Sequence, residues 1–225
     1  VEVQDILLTA LLRRTSTWTG HAGLPITLES HGRPELFDDV DTTRLVGWCT
    51  SQFPLRLTVD AAASGIDAIK SIKEQVRSVP HLGVGFGVLS YLADVEIGAG
   101  LRAFPSPPVL FNYLGQVSGM VTADASWMPV LDGVPGDVSP TQERSHLLEV
   151  NAMVAEGALS VTWSYSTEEF LPTTIERLAA AFITELHELV SATASASGPQ
   201  FTPSDFPAAR IDQDALAVLL GQLGA

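Results

Sequence analysis

Cysteine is almost missing: Cys49 is the only one in 225 residues. No intrachain disulfide can form, no cysteine-based zinc site can be assembled from this chain alone, and a reducing, cytoplasmic setting is expected. Basic residues are scarce as well. Twelve Lys and Arg stand against 26 Asp and Glu, a formal net charge of −14, which denies the clustered cations a nucleic-acid groove needs. Charged residues of both signs make up only 17%, below the roughly 25% of an ordinary globular domain. Long apolar runs are lacking: none approaches the roughly 18 residues that span a bilayer, and Val1-Glu2-Val3-Gln4-Asp5 has no basic flank of the kind a signal peptide carries. No membrane association is expected. The chain opens on Val1, already inside an amphipathic pattern, as expected of a piece of something longer.

What is present is apolar substance: 46% hydrophobic residues and a mean hydropathy of +0.24. That excludes wholesale disorder and supplies a substantial core for one large domain or two small ones. Val3, Ile6, Leu7, Ala10 and Leu11 recur at helical spacing up to a stop near Gly20. Leu24, Ile26 and Leu28 alternate with Pro25, Thr27 and Glu29, a half-buried strand that turns Glu29 away from Leu28. Leu55, Leu57 and Val59 predict a second strand. Ser64 and Asp67 resemble a capping box opening a helix through Ile66, Ile69, Lys73 and Val76, which must end before Pro80.

Val79–Gly87, with Pro80, Gly83, Gly85 and Gly87, reads as a loop. Val109, Phe111 and Tyr113 form a strand ended by Gly115, and the Gly-, Pro- and Asp-rich stretch from Val117 to Ser139 reads as irregular. Two alternating runs, Leu148–Val154 and Leu159–Tyr165, flank Glu156-Gly157 and predict a hairpin. Ile175, Leu178, Ala179, Phe182, Leu186, Leu189 and Val190 trace a helical stripe. Ser191–Gly198 reads as a flexible linker before a short appendage at Phe201–Pro207 and Asp212–Leu223. These elements imply a layered α/β sandwich: a mixed sheet covered on one face by the helices around Ile66–Val76 and Ile175–Val190.

The densest polar cluster is Glu29-Ser30-His31-Gly32-Arg33 at a strand end. Spacing leaves two readings open: a general base with a hydrogen-bond partner and a tuning charge, or a solvated strand end with a local Glu–Arg pair. His21, His31, His81, His146 and His187 show no metal-site spacing, so no metal is expected. Gly83-Val84-Gly85-Phe86-Gly87 lacks the Lys-Ser/Thr of a P-loop, and Ser164 and Ser166 lack a G-x-S-x-G frame.

Several segments, in order, resemble the motifs of the epimerization domain of nonribosomal peptide synthetases, a branch of the condensation-domain superfamily. Asp5-Ile6-Leu7-Leu8-Thr9-Ala10 is similar to D-x-L-L-x-A, and Glu29-Ser30-His31-Gly32-Arg33-Pro34-Glu35 to E-G-H-G-R-E. Thr43-Arg44-Leu45-Val46-Gly47-Trp48-Cys49-Thr50-Ser51-Gln52-Phe53-Pro54 resembles R-T-V-G-W-F-T-x-x-Y-P. Pro80-His81-Leu82-Gly83-Val84-Gly85-Phe86-Gly87 matches P-x-x-G-x-G-Y-G with Phe for Tyr, and Phe111-Asn112-Tyr113-Leu114-Gly115-Gln116 matches F-N-Y-L-G-Q. Thr202-Pro203-Ser204-Asp205-Phe206-Pro207 looks like the linker that follows such domains. The P-I-Q-x-W-F and H-H-x-x-x-D-G motifs of the family's N-terminal half have no counterpart here.

The resemblance therefore implies one lobe, the C-terminal one, of a pseudo-dimer like chloramphenicol acetyltransferase, with residues 1–195 as the lobe and 196–225 as linker and terminal helix. It implies inversion of the α-carbon of an aminoacyl or peptidyl thioester carried on the phosphopantetheine arm of a peptidyl carrier protein, in partnership with the N-terminal lobe and neighbouring synthetase modules. No cofactor bound directly is implied. Glu29 and Tyr113 would be catalytic, expected together on one open face. His31, Arg33, Asn112 and Trp48 would support them, with Arg33 keeping Glu29 ionised. Serine at 30 and cysteine at 49 depart from the motifs' Gly and Phe and put the backbone beside Glu29 in question. A condensation lobe would be expected to carry I-G-x-F-x-N where this chain has Val46-Gly47-Trp48-Cys49-Thr50. A non-catalytic carrier-docking module is the third class.

Overall fold

A computed structural model describes residues 1–117, 142–196, 198 and 200–223 of the chain. The first helix, α1 (Val3–Thr19), starts at a capping box in which Glu2 and Asp5 satisfy each other's backbone N–H groups, and stops at Gly20 with φ +75°. It leads into β1 (Gly23–Ser30), β2 (Ser51–Thr58) and α2 (Gly65–Arg77). At the start of α2 the Ser64 hydroxyl accepts from the Asp67 N–H at 3.2 Å, the Ncap half of the expected box.

Two short helices follow, α3 (Val84–Leu92) and α4 (Val95–Arg102), then β3 (Val109–Gln116), β4 (Leu148–Ala155), β5 (Ala158–Tyr165), α5 (Pro172–Ala194) and α6 (Gln213–Leu223). The loop expected at Val79–Gly87 is a 3₁₀ turn, Pro80–Gly83, running into α3. Gly83 holds φ +78° at the junction, while Gly85 and Gly87 lie within helix. Their helical cost against alanine, about 1 kcal/mol each, did not prevent it. The linker expected from Ser191 is helical through Ala194, where α5 runs on past its last buried residue, Leu189. The stretch read as irregular, Val117–Ser139, lies past Val117 outside the described residues.

The five strands make one mixed sheet in the order β2-β1-β3-β4-β5. β1 pairs antiparallel with β2 and parallel with β3; β3 is parallel to β4; β4 and β5 form the expected hairpin. Glu156 and Gly157 both have positive φ, +51° and +78°, as a two-residue hairpin turn of matching twist requires. Ile26, Leu28, Phe53, Leu57, Val109, Phe111, Leu148, Val150 and Ala152 turn to one face, where α1, α2 and α5 bury them with Leu7, Leu8, Leu11, Ile69, Ile72 and Phe182. The layered α/β arrangement is as the alternation predicted.

Two ion-pair systems tie the layer together. Buried Glu185 on α5 receives Arg13, at 3.2 Å, and Arg14 of α1. Lys73 of α2 is fully buried and reaches both carboxylate oxygens of Asp205 at 2.6 Å. Arg77 lies 3.5 Å from the same carboxylate and 2.7 Å from Glu2. The terminal appendage is therefore seated on α2: Thr202 is buried and caps the turn Pro203–Asp205.

Candidate functional site

The sheet face opposite the three packed helices carries the polar residues. Strand parity puts Glu29 there, because Ile26 and Leu28 occupy the helix side. Gln52 is its register partner on β2, and the Gln52 side-chain amide donates to Glu29 Oε1 at 2.5 Å. On β3, Thr27 is level with Leu110 and Leu28 with Phe111. Glu29 and Asn112 are the next residues along the two strands and share the open face by parity; the β4 partner of Asn112 is Asn151, itself paired with Thr162 of β5. Paired residues share a face, so Gln52, Glu29, Asn112, Asn151 and Thr162 form a polar row across the sheet.

The same register corrects the expected pairing of Glu29 with Tyr113. Tyr113 is opposite Ala152, which is fully buried on the helix side, and it packs against the core. Glu29 and Tyr113 point to opposite faces. The expectation misjudged which parity of β3 is apolar: Val109 and Phe111 are core residues, and Tyr113 is two positions beyond Phe111. Asn112 is the member of that motif that shares the carboxylate's face.

Arg33 does not hold Glu29 either. Its guanidinium donates to the backbone carbonyls of Leu45 at 3.3 Å and Gly47 at 3.1 Å, fastening the loop between β1 and β2. None of the ion pairs among the described residues joins Arg33 to Glu29. His31 is exposed, and its Nδ1 accepts from the Arg33 N–H at 3.0 Å. Trp48, expected as support, stands 93% exposed on the same loop. Gly32 has φ +65°, and a Cβ there would fall 1.5 Å from the Cys49 carbonyl oxygen, so the backbone at Cys49 passes where only a glycine leaves room. Ser30 ends β1 opposite Ser51 without a positive φ. A serine is thus conformationally at ease where the motif has glycine.

Three residues that the sequence reading passed over complete the site. Gln52 lies in a motif position without a fixed residue. Its signal was available in the alternation of β2, once β2 is paired antiparallel with β1. Thr27 and His146 are buried on the open face, joined by a hydrogen bond of 2.9 Å between Thr27 Oγ1 and His146 Nε2. Burial holds the His146 imidazole below the usual histidine range, against the raising influence of Glu149 and Glu29. Only the fold brings His146 to β1, across 119 positions. Beside this pair a cleft of about 380 Å³ opens between the sheet, α3 and the segment after α4. Among the described residues, no group of three or more His, Cys, Asp or Glu is placed to share a metal ion, and no single helix is long and apolar enough to cross a membrane.

A half-buried carboxylate with an amide donor, on an open polar sheet face beside a cleft, is equipped to exchange a proton with a bound carbon acid. Comparison with known proteins bears on the setting. The family model for the condensation domain matches residues 1–211. A linear gramicidin synthase protein of Brevibacillus parabrevis is 40% identical over 223 residues, 99% of this chain and 3% of that protein. Chondramide synthase cmdD of Chondromyces crocatus is 39% identical over 230 residues, 100% of this chain and 6% of that protein. Among solved structures, the epimerization domain from the third module of tyrocidine synthetase B superposes with a TM-score of 0.75 at 32% identity, covering 85% of this chain and 42% of that one. The chain thus spans a few per cent of these curated relatives and less than half of the solved domain.

Proposed function

The chain belongs to the condensation-domain family, and from that premise we propose that it is the C-terminal lobe of a nonribosomal peptide synthetase epimerization domain, inverting the α-carbon of an aminoacyl or peptidyl thioester held by a carrier protein. The observation that carries this reading is Glu29: an E-x-H-G-R motif whose carboxylate sits half-buried on the open sheet face, in a chain whose fold superposes on a solved epimerization domain.

A thioester acidifies its α-proton, and removal still needs a positioned base and a group that steadies the enolate. In this reading Glu29 takes the proton from one face of the α-carbon or returns it. Gln52 fixes the carboxylate's rotamer through its 2.5 Å hydrogen bond. Asn112, on the same face, offers an amide to the developing oxyanion, and Tyr113 supports that strand from the core side. Arg33 and Gly32 act on the loop that carries Val46 and Trp48, 97% and 93% exposed. These exposed apolar side chains, on the loop at the Glu29 end of β1, are where an opposing lobe with the second acid–base group would close the site. Residues 1–195 form the lobe; the Thr202–Asp205 turn fastens the linker that follows, and phosphopantetheine arrives as part of the carrier-bound substrate.

A peptide-bond-forming condensation lobe is the second reading, supported by the family match itself. The two separate in one assay on the complete two-lobe domain with an α-deuterated aminoacyl carrier protein. Loss of deuterium without a new amide supports the epimerase; amide formation with deuterium retained supports condensation and overturns the first reading.

A further inference from the structure

The proton exchange proposed above leaves the neighbouring cleft unused. At about 380 Å³ it lies within the roughly 300–1,000 Å³ of small-molecule sites. Thr27 and Pro54 of the open sheet face floor it, and Phe86, Tyr91, Phe104 and His146 wall it. Gln52, the donor to Glu29, also lines it, so the carboxylate and the cleft share a residue.

Among the described residues that line the cleft, Arg102 carries the one permanent charge. His146 Nε2 is bonded to Thr27, and burial disfavours its cation. Arg102 donates to the Ser90 carbonyl and lies over the Tyr91 ring, 5.8 Å from its centroid. The Ser90 hydroxyl is buried without a partner, and no Asp or Glu lines the cleft among the described residues. A cationic group entering here finds no carboxylate in the lining and meets the Arg102 guanidinium, which none of the ion pairs among the described residues neutralises, so it would be desolvated unpaired. Aromatic rings and proline faces, with Ser90, Ser106 and Ser145 among them, offer no counter-charge to a cation and accommodate a side chain without one.

We propose that this cleft is the side-chain pocket of the site, receiving a side chain without positive charge on the aminoacyl group whose α-carbon is presented to Glu29. The proposal rests on the proton-exchange reading of Glu29 and deepens it by naming the substrate class.

The test is an NMR titration of the complete two-lobe domain with stable N-acetyl-aminoacyl pantetheine amides carrying phenylalanyl or lysyl side chains. The phenylalanyl probe should bind at least about tenfold more tightly than the lysyl one, the scale on which side-chain pockets discriminate, and should move the Thr27 and His146 resonances. Phe104→Ala, at a 75% exposed position outside the core, should weaken the phenylalanyl probe at least about threefold, and His146→Asp should raise affinity for the lysyl probe. Equal binding of the two probes, or a phenylalanyl preference untouched by either variant, overturns the pocket; should the variants not fold, unmoved Thr27 and His146 resonances in the wild type do so. α-Deuterium exchange, measured separately, distinguishes the two failures: a probe that binds in the cleft of a domain that exchanges nothing leaves the pocket standing and removes the epimerase reading.

Discussion

Lys73 and Asp205, 132 positions apart, meet with the ammonium 2.6 Å from both carboxylate oxygens, and Lys73 has no exposed surface. The chain after α5 is thereby fastened to α2 at one buried charge. Removing the partner leaves that ammonium uncompensated, which costs about 3 kcal/mol for buried pairs. Asp205→Asn should lower the urea midpoint accordingly. Lys73→Met, which keeps the buried stem and removes the charge, should cost less. Hydrogen exchange at 201–206 should accelerate in both; unchanged protection would mean that packing by Thr202 alone seats the segment.

The same carboxylate sets a pH dependence. Burial opposes its ionisation, but hydrogen bonds from Lys73 and Thr202 and the Lys73 charge outweigh that, so Asp205 titrates below its usual range. A depressed folded-state pKa gives stability that is complete above the unfolded value, about 3.9, and is lost as pH falls through the folded value. The stability difference between wild type and Asp205→Asn should be constant from neutral pH to about 5 and shrink below about 4. A difference that grows on acidification would contradict the pairing.

Gly32→Ala should disorganise the loop between β1 and β2. Its Cβ would collide with the Cys49 carbonyl oxygen, and φ +65° is itself strained for alanine. The cost should be on the order of 1–3 kcal/mol, with faster hydrogen exchange confined to the residues around Gly32 and Cys49. Gly85→Ala, within α3 and with nothing within 4 Å of the added methyl, should by contrast be neutral or stabilising. Similar losses in both would show that the backbone geometry at Gly32 is not special.

Most of the fold was legible because its strands alternate against one packed face: Leu24, Ile26 and Leu28, and Leu148, Val150 and Ala152, carry that pattern in plain sequence. The turn at Glu156-Gly157 and the stripe of α5 were legible for the same local reasons. The 3₁₀ turn and α3 were hidden by Gly83, Gly85 and Gly87; Gly83 is required because a Cβ there would collide with the Phe53 ring, and the low helix propensity of Gly85 and Gly87 is overridden where Phe86 packs against the core. At the site, the identity of Glu29 and its face could be read from β1. The face of Tyr113 could not, because both parities of Val109–Leu114 contain apolar residues and only pairing with Ala152 decides between them. Arg33 was assigned to Glu29 by nearness in sequence, whereas the fold brings two carbonyls to it from 12 and 14 residues away.

Gln52→Leu tests the orientation of the carboxylate in the complete two-lobe domain. It removes the donor to Glu29 Oε1 at an exposed strand position, so stability should change little while the rate of α-deuterium exchange falls about tenfold or more. Restoration by Gln52→Asn is not expected, since the shorter amide falls short of the carboxylate. Exchange unaffected by Gln52→Leu would place Glu29 under other control.

Glu29→Gln is the most direct test of the account. It keeps the size of the side chain and removes only the ionisable group, and positioned acid–base groups contribute about 10²–10⁴ in rate. Measured as loss of α-deuterium from an aminoacyl thioester on its carrier protein, in the complete two-lobe domain, exchange should fall by at least about a hundredfold with carrier binding unchanged. Exchange persisting at the wild-type rate would contradict the role assigned to Glu29.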